Sequence, residues 1–452
     1  MKSLKSLWDR LLFRDRGILP GKRLLALFLI FSIGITVMAA FSNVSWIWLF
    51  VMNGLLLLIS LLDLWLSPKK KDLSFKRKIP DALERGITYA VQIEVTNASN
   101  KACSVRLTDG IPQSFRTPFP FEGTIKAQET SALSYQVIAP VRGNYEIDKL
   151  FVRYRSVFGL WEKQTAAVIK QHVRVIPDLT QTKRYLESPQ QFLLHEGVRV
   201  RKQRSEAGEF ARIRSYAVGD DPRKINWRQT AKLQEIMSNE YEPEHGKYVT
   251  ILIDCGRMMG AELKTGNRLE KALEAALTTA AAALRNGDYV AVLAFSTDVQ
   301  RFVPPEKGMG HLQKILQTIS TIHVEASEAN YSAAFNYLSA ALKKRSLILL
   351  FSDVQTFLYE ETVLHHLRRM RQRHLFMLIG IEDKTLLAAA RQEPDSSKIA
   401  MVKSVAQQQI GFKKQKKTYW EKQGLSMVEA KEERLVTAAV SHYIRIMNEG
   451  ML

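Results

Sequence analysis

The chain has 452 residues, enough for about three domains on length alone, with 65 lysines and arginines against 45 aspartates and glutamates, a formal net charge of +20. That balance suits nucleic acid or an anionic membrane surface; of the two, acidic lipid headgroups are the expected one, and no nucleic-acid partner is expected. Its two cysteines, Cys103 and Cys255, exclude a disulfide framework, a paired redox motif and a zinc knuckle, and fit a reducing compartment.

Leu24–Phe41 is an uncharged apolar run, and a second run from Trp46 to Leu66 carries one charge, Asp63. A helix rises about 1.5 Å per residue, so roughly 20 residues cross a hydrocarbon core of about 30 Å. The uncharged link Ser42–Ser45 allows only a tight hairpin. Cations flank both outer ends: Lys2, Lys5, Arg10, Arg14, Arg16, Lys22 and Arg23 before the first run, and Lys69, Lys70, Lys71, Lys76, Arg77 and Lys78 after the second. The positive-inside rule then predicts a cell-membrane protein with two spans and both termini cytoplasmic, with Trp46, Trp48 and Trp65 at the interfaces. Residues 1–70 are the expected anchor.

From residue 73 to about 180 the period falls to two. Tyr89–Thr96, Val105–Thr108 and Leu133–Val137 alternate apolar and polar residues, with turn signals at Asn97–Asn100 and Arg142–Asn144 between them. An antiparallel β-sandwich follows from that spacing. It carries no cluster that suggests catalysis.

The segment 190–450 alternates strand and helix. Tyr248–Asp254, Tyr289–Phe295, Leu347–Phe351 and Leu375–Gly380 are continuous apolar runs, as strands buried on both faces require. Helices are expected at 268–285, near 308–320, 331–344 and 360–372, and at 433–449, and short strands at 299–303 and 425–429. The pattern is an open, doubly wound α/β sheet, in which ligands bind beyond the carboxyl ends of the strands. Asp254 and Asp353 stand at two such ends.

Those runs, with Gly287–Ser296 and Leu350–Asp353, resemble a von Willebrand factor A domain. Just upstream, Gly208–Tyr216, Gly219–Trp227 and Ala231 closely resemble the signature of a bacterial family catalogued as domain of unknown function fifty-eight. Arg142–Gly143 and Phe158–Leu160 match turns in the β-rich part of that family. The resemblance covers almost the whole chain. It implies a protein encoded beside a MoxR-type AAA+ ATPase and acting with it as an adaptor in assembly or maturation of protein complexes.

Von Willebrand A domains commonly hold a divalent cation with an Asp-x-Ser-x-Ser element, a threonine and a further aspartate, a hard-ion set of carboxylates and hydroxyls. Here Asp254 and Asp353 remain, but Gly256 and Met258 replace the two serines, and no threonine stands near Ala329–Ser332. Asp254 and Asp353 are therefore the candidate ligands of a degenerate Mg²⁺ site, against the alternative that they cap helices or turns. No resident cofactor is otherwise expected. Arg257 could add a positive charge nearby.

In the signature block, Asp220, Asp221, Pro222 and Arg223 form a turn by composition. Arg214, Asp220, Asp221, Arg223 and Trp227 are the candidate partner-binding residues, since Arg and Trp are enriched at interface hot spots. An internal clasp, with an aspartate paired to an arginine and Trp227 in the core, is the competing arrangement. The basic runs Arg199–Arg204 and Lys413–Lys417 read as solvated or membrane-facing loops. His365 and His366 are adjacent, so they cannot form an i, i+4 metal pair. No GxxxxGK[ST] loop, GxSxG elbow or HExxH motif occurs. The sequence thus points to a non-enzymatic membrane-anchored scaffold. The alternatives are a divalent-metal-dependent adhesion or receptor protein, or an enzyme whose site has no recognised motif.

Overall fold

A computed structural model of the chain describes residues 17–41, 47–117, 120–193, 209–242 and 246–452. The cations before residue 17, the link Ser42–Ser45, Trp46 and the run Arg199–Arg204 lie outside the described residues. The chain divides into two compact units, Met1–Ile176 and Pro177–Leu452.

The first unit opens with a short strand, β1 (Ile18–Pro20), and two apolar helices, α1 (Lys22–Phe41) and α2 (Ile47–Leu66). Ser32 Oγ donates to Asn53 Oδ1 at 3.0 Å, joining the two helices through their polar atoms. Among the described residues, one stretch, Phe50–Asp72, is long and apolar enough to cross a membrane.

The rest of this unit is β-structure. A three-stranded sheet pairs β2 (Leu73–Lys78), β4 (Thr88–Asn97) and β7 (Glu129–Ile138). A larger sheet orders β1, β9 (Trp161–Ile176), β8 (Gly143–Arg155), β5 (Cys103–Asp109) and β6 (Phe121–Ile125), with β3 (Ala82–Glu84) beside β9. Alternation drives the assembly. Val91, Ile93 and Val95 of one sheet, and Val105, Leu107, Ile147 and Val152 of the other, share one core. A buried ion pair crosses that core. Arg77 Nε donates to Asp109 Oδ2 at 2.8 Å, and the Tyr135 hydroxyl donates to the same oxygen at 2.6 Å. Arg77 also donates to the carbonyls of Ile147, Ile169 and Lys149, so its charge is spread over several acceptors.

In the second unit, α3 (Thr180–Glu187) and α4 (Pro189–Leu193) come first. The hairpin β10 (Glu209–Ser215) and β11 (Met237–Glu242) encloses α5 (Trp227–Leu233). A six-stranded sheet then forms in the order β16 (Val299–Glu306), β15 (Tyr289–Phe295), β12 (Tyr248–Asp254), β17 (Ser346–Phe351), β18 (Leu375–Ile381) and β19 (Ser426–Ala430). All pairs are parallel except β15 with β16. A two-residue ladder, β13 (Glu262–Leu263) with β14 (Gly266–Asn267), precedes α6 (Arg268–Arg285).

Helices cover both faces. Val249, Ile251 and Ile253 of β12 point into one core with α6, α7 (Met309–Ile319) and α13 (Leu435–Asn448). Leu252 points into the other, with α8 (Tyr331–Ala341), α9 (Val354–Tyr359) and α10 (Glu361–Arg371). The period-2 pleat of a strand buried on both sides thus feeds two cores.

Two helices after residue 381 have no counterpart among the expected elements, and one of them replaces the loop expected at Lys413–Lys417. These are α11 (Lys384–Arg391) and α12 (Ser397–Lys422), and the second contains the Lys413–Lys417 run. Along its 26 residues only Ala406 and Trp420 are buried. A helix with so narrow a buried edge leaves no apolar period in its sequence.

Candidate functional site

The strand ends of the sheet gather the two expected carboxylates. Register places Ile253 of β12 beside Phe351 of β17, so Asp254 and the Ser352–Asp353 pair emerge side by side. Asp254 is buried. Its Oδ1 accepts from the Gly256 backbone N–H at 2.7 Å; its Oδ2 accepts from Ser352 Oγ at 2.6 Å and from the Tyr331 hydroxyl at 3.1 Å. Burial pushes the Asp254 carboxyl above its usual range, against these hydrogen bonds. Burial and the neighbouring Asp254 carboxylate push the Tyr331 phenol well up.

Asp353 is the N-cap of α9. Its Oδ2 accepts from the Thr356 N–H at 2.9 Å and from Thr356 Oγ1 at 2.8 Å. Its Oδ1 accepts from Arg268, the first residue of α6. The second guanidinium nitrogen of Arg268 lies 3.7 Å from Asp383, the N-cap of α11. One arginine thus ties together the starts of three helices.

This arrangement does not fit a divalent cation. Both carboxylates already spend their oxygens on protein donors, and the local positive charge comes from Arg268. Arg257 faces away, its guanidinium 2.7 Å from Glu328 on the surface. A Cβ at Gly256 would lie 2.9 Å from the Ala329 backbone nitrogen and 3.1 Å from Asp254 Oδ1, so a serine of the adhesion motif has no room there. No group of three His, Cys, Asp or Glu residues suited to a metal occurs among the described residues. Sequence reasoning missed Arg268, Tyr331 and Ser352, which make these contacts. Arg268 and Asp353 are far apart in the chain, and no local pattern links them.

The signature hairpin is built differently. Arg214 donates to Asp220 Oδ1 at 2.7 Å, and Asp220 Oδ2 accepts from the Ala217 N–H at 3.0 Å. Asp221 caps the turn at Pro222–Lys224 through the Arg223 N–H, 3.0 Å away. Asn226 caps α5 by accepting from the Gln229 N–H at 3.1 Å, and its amide donates to Asn239 Oδ1 at 2.9 Å. These bonds hold a rigid turn. They do not cover its apolar residues. Trp227 is 70% exposed, and Val218, Leu233 and Ile236 are exposed as well. Arg223, Arg228 and Lys232 are exposed around them. Among the described side chains of residues 212–240, Ser238 alone is buried. Asp220 and Arg214 therefore form the expected clasp, whereas Trp227 is not a core residue.

Residues 212–417, from this hairpin through most of α12, match the family described as "Protein of unknown function DUF58". The chain is similar to that family over this stretch, which is less than half of its length. The DUF58 segment thus holds both the signature hairpin and the strand-end cluster. A relative in Bacillus subtilis (strain 168), "Uncharacterized protein YeaD", is 20% identical over 203 residues, 44% of this chain and 48% of that protein. The chain thus spans about half the length of that relative. Among solved structures, the conserved hypothetical protein BatB from Bacteroides thetaiotaomicron aligns with 45% of this chain and 100% of its own, at 13% identity and a TM-score of 0.31. The ASH / PapD-like domain of human CEP192 aligns with 23% of this chain and 85% of its own, at 12% identity and a TM-score of 0.18.

A cavity of about 420 Å³ opens at the opposite ends of β17 and β18. It is lined by Lys343, Lys344, Arg345, Arg371, Arg373 and His374 among others. His374 is buried, and its Nδ1 accepts from the Ser346 N–H at 3.2 Å. Burial lowers its pKa.

Proposed function

We propose that the protein is a membrane-anchored scaffold whose signature hairpin docks a protein partner. The observation that carries this reading is Trp227, a large apolar side chain held in solvent by a turn whose own polar groups are tied down. Aromatic and arginine side chains on a rigid support make the strongest interface anchors. Arg223, Arg228 and Lys232 favour a partner with an acidic rim around an apolar pocket. Family resemblance names the partner class as a MoxR-type AAA+ ATPase, and the scaffold would serve assembly or maturation of protein complexes.

The anchor in this reading is a two-span hairpin with both termini cytoplasmic. Each helix has 20 residues, and both turn large apolar side chains outward. Leu29, Ile30 and Ile33 on the first, and Phe50, Leu58 and Leu62 on the second, are exposed. The sheet domain is read as von Willebrand A-like, with its adhesion site closed by Arg268.

The test is co-purification of the detergent-extracted full chain with the neighbouring ATPase. Capture should fall sharply for Trp227→Ala and for the charge reversals Arg223→Glu and Arg228→Glu. Undiminished capture by all three variants would rule out the hairpin as the docking surface.

A further inference from the structure

The turn between β8 and β9, residues 156–160, is pinned to the outer ends of both apolar helices. Asp63, the one charged residue of its run, is 3% exposed. Its carboxylate is used up by this turn: Oδ2 accepts from the Leu160 N–H at 2.8 Å and the Trp161 N–H at 3.0 Å, and Oδ1 accepts from Ser156 Oγ. The Trp161 indole N–H donates to Ser60 Oγ at 3.2 Å. At the start of α1, Arg23 donates to the Phe158 carbonyl at 2.9 Å, and the Gly21 N–H donates to the Leu160 carbonyl at 2.8 Å. A Cβ on Gly21 would lie 2.6 Å from the Gly159 oxygen, so the close approach depends on glycine there. Gly159 itself has φ +70°, the left-handed region that glycine adopts without steric cost.

A turn held this firmly would be expected to bury its apolar side chains. Instead Val157 is 67% exposed and Phe158 61% exposed. Their level along the anchor follows from the helix. The 20 residues of α2 rise about 30 Å, the thickness of a hydrocarbon core. Asp63 is three residues from its end, so the turn it holds lies about 5 Å from the boundary. Cations stand at the same level. Lys163 Nζ donates to the Leu64 carbonyl at 3.0 Å, and Lys101 lies 5.5 Å from the centroid of the Trp65 ring. Exposed apolar side chains on a turn bonded by Arg23, with Lys101 and Lys163 at the end of the neighbouring helix, match the layered chemistry of an anionic lipid interface.

We propose that Val157 and Phe158 form a membrane-interface wedge, inserted at the headgroup–acyl boundary beside the anchor and held there by Asp63 and Arg23. The inference rests on the anchor reading above. It adds that the sandwich stands on the lipid surface in one fixed orientation. Asp63 is then a positioning residue, whose carboxylate transmits the tilt of the anchor to the sandwich.

The test uses the full chain in vesicles of phosphatidylcholine and phosphatidylglycerol. A fluorophore sensitive to its surroundings is attached at Phe158→Cys or, as control, at Val141→Cys. Cys103 and Cys255 are buried and should not compete for label. Val141 lies beyond the other end of β8, whose 13 residues span about 40 Å. Spin-labelled lipid should quench the label at 158 roughly threefold more than the label at 141. Adding Asp63→Ala should remove most of the difference. Equal quenching at the two positions in a chain that stays with the vesicles would overturn the wedge alone. Self-quenching between labels at 158 without quenching by lipid would mean that a second copy covers the turn, which also overturns it. A chain that leaves the vesicles in alkaline carbonate would overturn the anchor and the wedge together.

Discussion

The strand-end cluster and the signature hairpin both belong to the DUF58 segment, and both concentrate charged residues, yet they offer opposite things to a partner. At the strand ends every carboxylate oxygen of Asp254 and Asp353 meets a donor from Gly256, Ser352, Tyr331, Thr356 or Arg268. A polar site that has satisfied itself has little to gain from a ligand, because any new bond must first replace an existing one. On the hairpin, polar atoms are likewise paired, but the apolar surface of Trp227 is left in water. The free energy still available there is hydrophobic. Titratable residues mark the first site for a reader of sequence, whereas the docking reading follows the exposed indole.

Four substitutions or conditions can break this comparison. The largest effect is expected for Arg268→Met. Arg268 and Asp353 have side chains only 11% and 7% exposed, and removing one partner of a buried pair leaves a stranded charge. Equilibrium denaturation should show a loss of about 3 kcal/mol or more. A neutral result would mean that the cluster is not closed by this arginine. Next, Trp227→Ala should weaken partner binding by about 2 kcal/mol while changing stability by no more than about 0.5 kcal/mol, as for other exposed positions. A large stability loss would instead place the indole in a contact that the hairpin needs to fold.

Gly256→Ser restores one residue of the adhesion motif. With its Cβ 2.9 Å from the Ala329 nitrogen, it should destabilise by about 1–3 kcal/mol, and Mg²⁺ should not recover the loss in a thermal melt. Recovery by Mg²⁺ would show that the site accepts an ion after all. The smallest effect concerns pH. His374 is held below its ordinary pKa of 6.5 by burial, and its neutral ring accepts from the Ser346 N–H. A depressed folded pKa means that the unfolded chain binds the proton more readily. The contribution is therefore complete above pH 6.5 and is lost as pH falls toward the lowered folded value. His374→Gln should flatten that part of the stability profile.

Much of the fold could be read from the sequence, because strands buried on both faces write continuous apolar runs and sandwich strands write alternation. Tyr248–Asp254 and Tyr289–Phe295 became strands over those same residues. Helix Ser397–Lys422 was hidden, since only Ala406 and Trp420 are buried along it and its lysines suggest a solvated loop. The site was half legible. Asp254 and Asp353 stand out at strand ends, but their partners come from residues up to 98 positions away, as with Ser352 and Asp254. Trp227 was legible as a partner-binding candidate, but the sequence left a core position open beside that reading. An indole reads by default as core, and only the placement of the hairpin turn shows it in solvent.

The central claim is that partner binding belongs to the open hairpin and not to the closed strand ends. The most direct measurement is a titration of the full chain, in detergent, with the proposed partner, a MoxR-type ATPase, comparing Trp227→Ala with Asp254→Asn. The account predicts that Trp227→Ala weakens affinity at least about tenfold and that Asp254→Asn leaves it unchanged. Loss of binding in Asp254→Asn with full binding in Trp227→Ala would contradict it.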